Sequence, residues 1–170
     1  GPVSLDRAIT YYQIAAEQGD KRGLERLAKL TLAGTLDAVA APHTAVPWMM
    51  FAATQNDDAA AMTWVQDQAS KGVRPAQVQL GIWYLEQEDR APEGAALLQR
   101  AAIAGSVRAQ ALLGQMYTTG AGVALDYVAA HKWLNIAAAS GHQGSAETRS
   151  LLNDLMTPEQ IAQAQTEARV

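Results

Sequence analysis

Apolar residues recur along the chain at steps of three and four, in blocks broken by Gly, Pro, Asn and Asp. Nowhere does apolar alternate with polar for long. That periodicity belongs to the helix, in which roughly 3.6 residues complete a turn. It predicts helices over 4–18, 21–33, 45–55, 58–70, 75–88, 92–104, 107–118, 127–140, 144–153 and 158–168.

The blocks are of two kinds. Residues 76–84 read Ala-Gln-Val-Gln-Leu-Gly-Ile-Trp-Tyr, and residues 109–117 read Ala-Gln-Ala-Leu-Leu-Gly-Gln-Met-Tyr. They match at an offset of 33 residues and define an A-type helix. In the B type, a large apolar residue is followed by Ala five positions on and Gly eight positions on. Tyr11, Ala16 and Gly19 fit this spacing, as do Trp64, Ala69 and Gly72. So do Leu97, Ala102 and Gly105, and Trp133, Ala138 and Gly141; Trp48, Ala53 and Asn56 fit with Asn in place of Gly. A self-similar period of this length marks stacked repeats, each of which buries its faces only against its neighbours.

The glycines have two expected roles. Those closing the B spacing end helices, because Gly and Asn tolerate the left-handed conformation after the last turn. Gly81 and Gly114 stand inside A helices, where Gly costs about 1 kcal/mol relative to Ala, so close approach of another helix is the expected reason. After the second A helix comes a turn over 118–123, with Asp126 placed to cap the helix that follows. In the preceding repeat the turn is shorter and Pro92 takes a first-turn position. Thr157, Pro158 and Gln160 together form a helix start, with a capping box available. One region breaks the register. Between Ala33 and Pro47 there is no A signature, and Asn56 lies only 16 residues before Gly72, about half a repeat. A degenerate repeat and an inserted helix both fit.

Composition supports the helical reading. Aromatics are only 6% with a single Phe, against the β-branched and aromatic usage of strands, while Ala supplies much of the 49% hydrophobic content. A net charge of −4, with no run of Lys or Arg, argues against a nucleic-acid partner. The chain has no Cys, which excludes disulfides, thiolate metal sites and Cys catalysis and is compatible with cytosol and periplasm alike. The longest strongly apolar stretch, 45–53, is far short of the roughly 20 residues a membrane helix needs. Gly1-Pro2 reads as the scar left by tag removal, so residues 1–3 are expected to be scar and linker.

The stretch 109–147, AQALLGQMYTTGAGVALDYVAAHKWLNIAAASGHQGSAE, resembles the Sel-one-like repeat (SLR), a relative of the tetratricopeptide repeat. Leu113-Gly114 with Tyr117, Gly120 to Val123, Asp126, Trp133, Ala137-Ala138 and Gly141 carry the resemblance. The pattern extends over about 4–144 and is weak between 34 and 58; the C-terminal segment resembles the helix that often closes bacterial members. The resemblance implies an all-α, right-handed superhelical solenoid of antiparallel helix pairs. Repeats would occupy 4–153 and a capping helix 154–170. It also implies protein–protein interaction, often in envelope assembly, signalling or secretion, which leans localisation toward the bacterial periplasm.

Candidate chemistry is sparse. His43, His131 and His142 have no ligand-spaced companion, and His131 is expected at a solvated position. Gly120-Ala121-Gly122 lacks the Lys-Ser/Thr of a phosphate loop and follows a helix. Ser140 and Ser145 near His142 have no third triad member. Glu86 to Asp89 with Glu93 reads as a solvated turn ahead of an acidic patch, and Trp48, Trp64 and Trp133, sharing one repeat position, read as core. No catalytic residue, metal site or cofactor is expected. What remains is shape: the inner A-helix positions that the repeat leaves free. Gln79, Ile82 and Glu86 form one stripe, and Leu112, Gln115 and Thr119 match it 33 residues later. The expected function is a non-catalytic scaffold or adaptor that holds a protein or peptide on this face. The alternatives are a module that positions or regulates an envelope or cell-wall enzyme, and a glycan binder. No membrane insertion is expected within the chain.

Overall fold

A computed structural model describes residues 4–36 and 40–169, and every regular element among them is helical. The ten helices are α1 (Leu5–Glu17), α2 (Lys21–Leu32), α3 (Pro42–Gln55), α4 (Ala59–Ser70), α5 (Arg74–Leu85), α6 (Ala91–Ile103), α7 (Val107–Thr119), α8 (Tyr127–Ala139), α9 (Gln143–Asn153) and α10 (Pro158–Glu167). The protein is therefore an all-α helical repeat, as its periodicity predicts. Residues 1–3, expected to be scar and linker, lie outside the described residues.

Most boundaries follow side-chain chemistry. Ser4, Asp20, Asp58, Ser106, Asp126, His142 and Thr157 each accept a hydrogen bond from a backbone N–H in the first turn they precede. Thr157 and Gln160 complete the expected capping box. Helix α3 begins earlier than the sequence suggests, at Pro42, because the fixed φ of proline suits a first-turn position. Pro47 lies inside α3 on an exposed face, where it removes one ladder donor.

The B-type helices end in one shared way. Gly19, Gly72, Gly105 and Gly141 all have left-handed backbones, with φ of 79°, 85°, 90° and 92°. The next residue's N–H reaches back five residues: Asp20 to Ala15 O, Val73 to Gln68 O, Ser106 to Ala101 O and His142 to Ala137 O. Asp20, Ser106 and His142 are also the N-caps of the helices that follow. Asn56 does not serve as the expected glycine substitute. Its φ is −114°, and the left-handed residue is Asp57, φ 50°. The joint between α3 and α4 is one residue longer, and the Asp58 N–H reaches six back to Ala52 O.

The chain divides into two compact units, 1–76 and 77–170. In the first, α2 packs on α1 and α3, and α3 packs on α4. Leu27, Val46, Met49 and Val65 are fully enclosed. Trp48 is buried as expected, and its indole N–H donates to Thr31 Oγ1 at 2.8 Å. Trp64, which shares its repeat position, is only half-buried.

The second unit has two clusters. Val78, Ala95, Leu98, Ala101, Ala109, Leu113 and Met116 pack between α5, α6 and α7, with the half-buried Trp133 against them. Ala130, Leu134, Leu152, Met156 and Ala164 join α8, α9 and α10. Gly81 and Gly114 both stand at close helix crossings, and Gly94 faces Gly81 across the first, where a Cβ on Gly94 would lie 2.6 Å from Gly81 O. A Cβ on Gly114 would lie 2.5 Å from Leu134 Cγ, and one on Gly81 would lie 3.0 Å from Leu98 Cγ and 3.1 Å from Gly94 O.

Candidate partner-binding face

The shared helix joints fix the register of the A helices in the second unit. Counting from Gly72 and Gly105, Gln79 and Ile82 of α5 and Glu86, in the turn just past its end, correspond to Leu112, Gln115 and Thr119 of α7. That spacing puts Gln79 and Ile82 on one face of α5, and Leu112, Gln115 and Thr119 on one face of α7. Ile82 and Leu112 are both half-buried against the same cluster around Leu98 and Leu113, so the two stripes share one floor. Gln115, Thr119 and Glu86 stand exposed, and Gln79 is half-buried. The Thr119 hydroxyl donates to the backbone Gln115 O at 3.1 Å, and the Gln115 side chain is exposed. This surface presents amide, hydroxyl and one carboxylate over an apolar base. It can donate and accept hydrogen bonds; it holds no arrangement of nucleophile and base.

The acidic turn after α5 is less acidic than its sequence. Glu93 is claimed by Arg90, through Nη2 to Oε2 at 2.7 Å and Nε to Oε1 at 3.1 Å. That bond lowers the Glu93 carboxyl from its usual range and raises Arg90 further above its own. The Arg90 guanidinium also lies 3.7 Å above the ring of Tyr84. Glu86, Glu88 and Asp89 remain.

His131 is where the solvated expectation fails. It is 2% exposed, and its Nε2 meets Asn153 Oδ1 at 3.0 Å across the α8–α9 packing. Burial pushes its pKa down, the Asn153 bond opposes that shift, and the nearby Arg149 charge adds to it. Nδ1 is buried with no hydrogen-bond partner. The B register held the missing signal: His131 corresponds to Ile9 and Ala95, which are both buried. His142 instead caps α9, its Nδ1 accepting from the Ser145 N–H at 3.1 Å. Among the described residues no group of three or more His, Asp or Glu could hold a metal, and no helix is long and apolar enough to cross a membrane.

The Sel1 repeat family matches residues 1–20, 74–106 and 107–142, just over half of the chain. The chain belongs to the Sel1 repeat family. Two solved structures resemble this Sel1 repeat protein. One is a protective antigen present in uropathogenic Escherichia coli strains, displaying an SLR fold, at 27% identity and a TM-score of 0.62. That alignment takes in 99% of this chain and 41% of the antigen, so the chain spans less than half of that relative. The other is a Sel1 repeat protein from Oxalobacter formigenes, at 27% identity and a TM-score of 0.54, covering 85% of this chain and 98% of that one. No curated protein matches the sequence. Sel1 repeats are helical protein-interaction modules and are generally non-catalytic, so family membership places this chain in a class of helical interaction repeats.

Proposed function

We propose that this Sel1 repeat protein is a non-catalytic scaffold or adaptor. Its protein or peptide partner lies along the A-helix face that carries Gln79, Ile82, Glu86, Leu112, Gln115 and Thr119. Stacked helix pairs present one long run of A-helix surface, which suits an extended ligand. The observation that carries the reading is the common floor under the two stripes: Ile82 and Leu112 pack on one cluster while Gln115, Thr119 and Glu86 above it stay exposed.

The test uses the full-length natural protein and a partner recovered with it by pull-down. Ile82 helps to cover the core, so the informative changes are at exposed positions. Gln115→Arg with Glu86→Arg is expected to abolish recovery of that partner and to leave the thermal midpoint within a degree or so, as surface changes usually do. Retained recovery in that variant, with loss on neutralising Glu88 and Asp89, would move the site to the turns and end the groove reading.

A further inference from the structure

The same register continues onto α9. Gly141 corresponds to Gly105, so Thr148, Leu151 and Leu155 hold the positions of Leu112, Gln115 and Thr119. Helices α7 and α9 also touch. At these positions the stripe changes character. Leu151 is 70% exposed and Leu155 62%. Leu151 stands in the last turn of α9 and Leu155 two residues past its end. A large aliphatic side chain left in water forfeits most of its burial free energy, and these two leucines leave apolar surface exposed at this end of α9.

The rotation of α9 is set by its opposite face. Ser145 is buried, with its Oγ 2.9 Å from His142 Nδ1. Arg149 donates to Asn135 Oδ1, Leu152 is enclosed in the core, and Asn153 meets His131. These inward residues follow helical spacing; of the outward ones Glu147 and Leu151 lie on α9, and Asp154 and Leu155 in the turn just past it. Glu147 precedes Leu151 by four residues, and Asp154 follows it by three. Both acids are exposed and in no ion pair with another described residue. The one cation of α9, Arg149, is turned toward α8.

We propose that Leu151 and Leu155, flanked by Glu147 and Asp154, anchor a basic amphipathic segment of the partner. This rests on the A-face reading and names the partner's chemistry: apolar side chains for the leucines, and Lys or Arg beside them for the carboxylates. Helix α9 does not need to move to present Leu151, because its inward bonds already hold that side chain outward.

The probe is a fluorescently labelled synthetic Leu/Lys amphipathic peptide, followed by anisotropy, with the Leu/Glu peptide of the same apolar pattern as its counterpart. The Leu/Lys peptide is expected to bind and the Leu/Glu peptide not to. Leu151→Asn with Leu155→Asn should weaken binding about tenfold or more, as loss of a central apolar anchor does. Glu147→Gln with Asp154→Asn should weaken it less and flatten its salt dependence. Both pairs are exposed, so circular dichroism should show unchanged helix and confirm that folding is not the cause.

Equal affinity for the two peptides, or unchanged affinity in the leucine variant, overturns the proposal. So does wild-type self-association that disappears in that variant, since a second copy would then occupy the patch. Gln115→Arg with Glu86→Arg separates the two readings. If the natural partner is lost with that pair but retained by the leucine variant, the A-face reading stands and the anchor does not. If the leucine variant loses the partner while the Gln115 and Glu86 pair keeps it, the anchor stands alone on α9.

Discussion

At the scale of single residues, the closest contact involves Gly114. A methyl group there would lie 2.5 Å from Leu134 Cγ and 2.6 Å from Leu134 Cδ2, far inside van der Waals contact. Gly114→Ala should therefore destabilise by about 1–3 kcal/mol, the usual range for overpacking, and Gly114→Leu by more. Gly144→Ala is the control, since its nearest neighbour is His142 Cε1 at 3.5 Å. Urea midpoints of these variants measure the difference, and equal losses would contradict the helix crossing. His131 governs a pH response. With Asn153 Oδ1 accepting, Nε2 carries the hydrogen and Nδ1 is bare. Protonation there would bury a charge and a donor without an acceptor, near Arg149. The folded pKa is depressed, chiefly by burial, so the neutral form favours the fold. That stability is present above the unfolded pKa of about 6.5 and is lost as pH falls below it. Urea midpoints should drop on mild acidification in the wild type and drop less in His131→Gln. Asn153→Ala should cost about 1–3 kcal/mol by leaving Nε2 unsatisfied.

Among elements, the B-type joints separate two reasons for conserving space at a glycine. At Gly141 nothing lies within 4 Å of a built Cβ, yet φ is 92°. Gly141→Ala should cost roughly 1 kcal/mol through backbone strain alone, with no change at the α7–α8 crossing. Thermal unfolding combined with tryptophan fluorescence near Trp133 checks this: a lowered midpoint with an unchanged folded-state spectrum is expected. The helices themselves were legible because caps, glycines and apolar spacing agree in most of them. Where one signal stood alone, the reading slipped. Asn56 fits the B spacing, but Asp57 takes the left-handed turn, because the joint there carries one residue more and spacing cannot say which residue absorbs it. For His131, side-chain type points to solvent while register, which places it with Ile9 and Ala95, points to the core, and register decides. The exposed Leu151 and Leu155 are hidden in the sequence for the converse reason. The A signature fades there, with Ser150 at the position of Gly114, so sequence pattern alone does not extend the stripe past α7.

Across the whole molecule, the order of helix kinds locates the irregular stretch. Helix α1 is B-type and α5 is A-type, so strict alternation allows an even number of helices between them; there are three. Both α3 and α4 carry B spacing, and the family match passes over 21–73. The alternation thus breaks between α3 and α4, where two B-type helices follow one another. At the other end, α10 packs on α8 and encloses Ala164 beside Leu152 and Met156. Deleting residues 157–170 should uncover Leu152 and Met156 and lower stability by about 2–4 kcal/mol, with faster amide exchange in α8 and α9. Unchanged exchange there would mean that α10 contributes no cover.

The joints from B-type to A-type helices have a consequence for how such a chain can change length. At Asp20, Ser106 and His142 one residue closes a helix with its N–H and opens the next with its side chain. Such a linkage has no slack: an inserted residue must break either the closing bond or the opening one. The turns leading from A to B helices are under no such double constraint, and they already differ, 86–90 in one repeat against 120–126 in the next. Insertions and grafted epitopes should be tolerated after α5 and α7 and rejected at positions 19–20, 105–106 and 141–142, so the protein has one edge that can be lengthened and another whose spacing is locked.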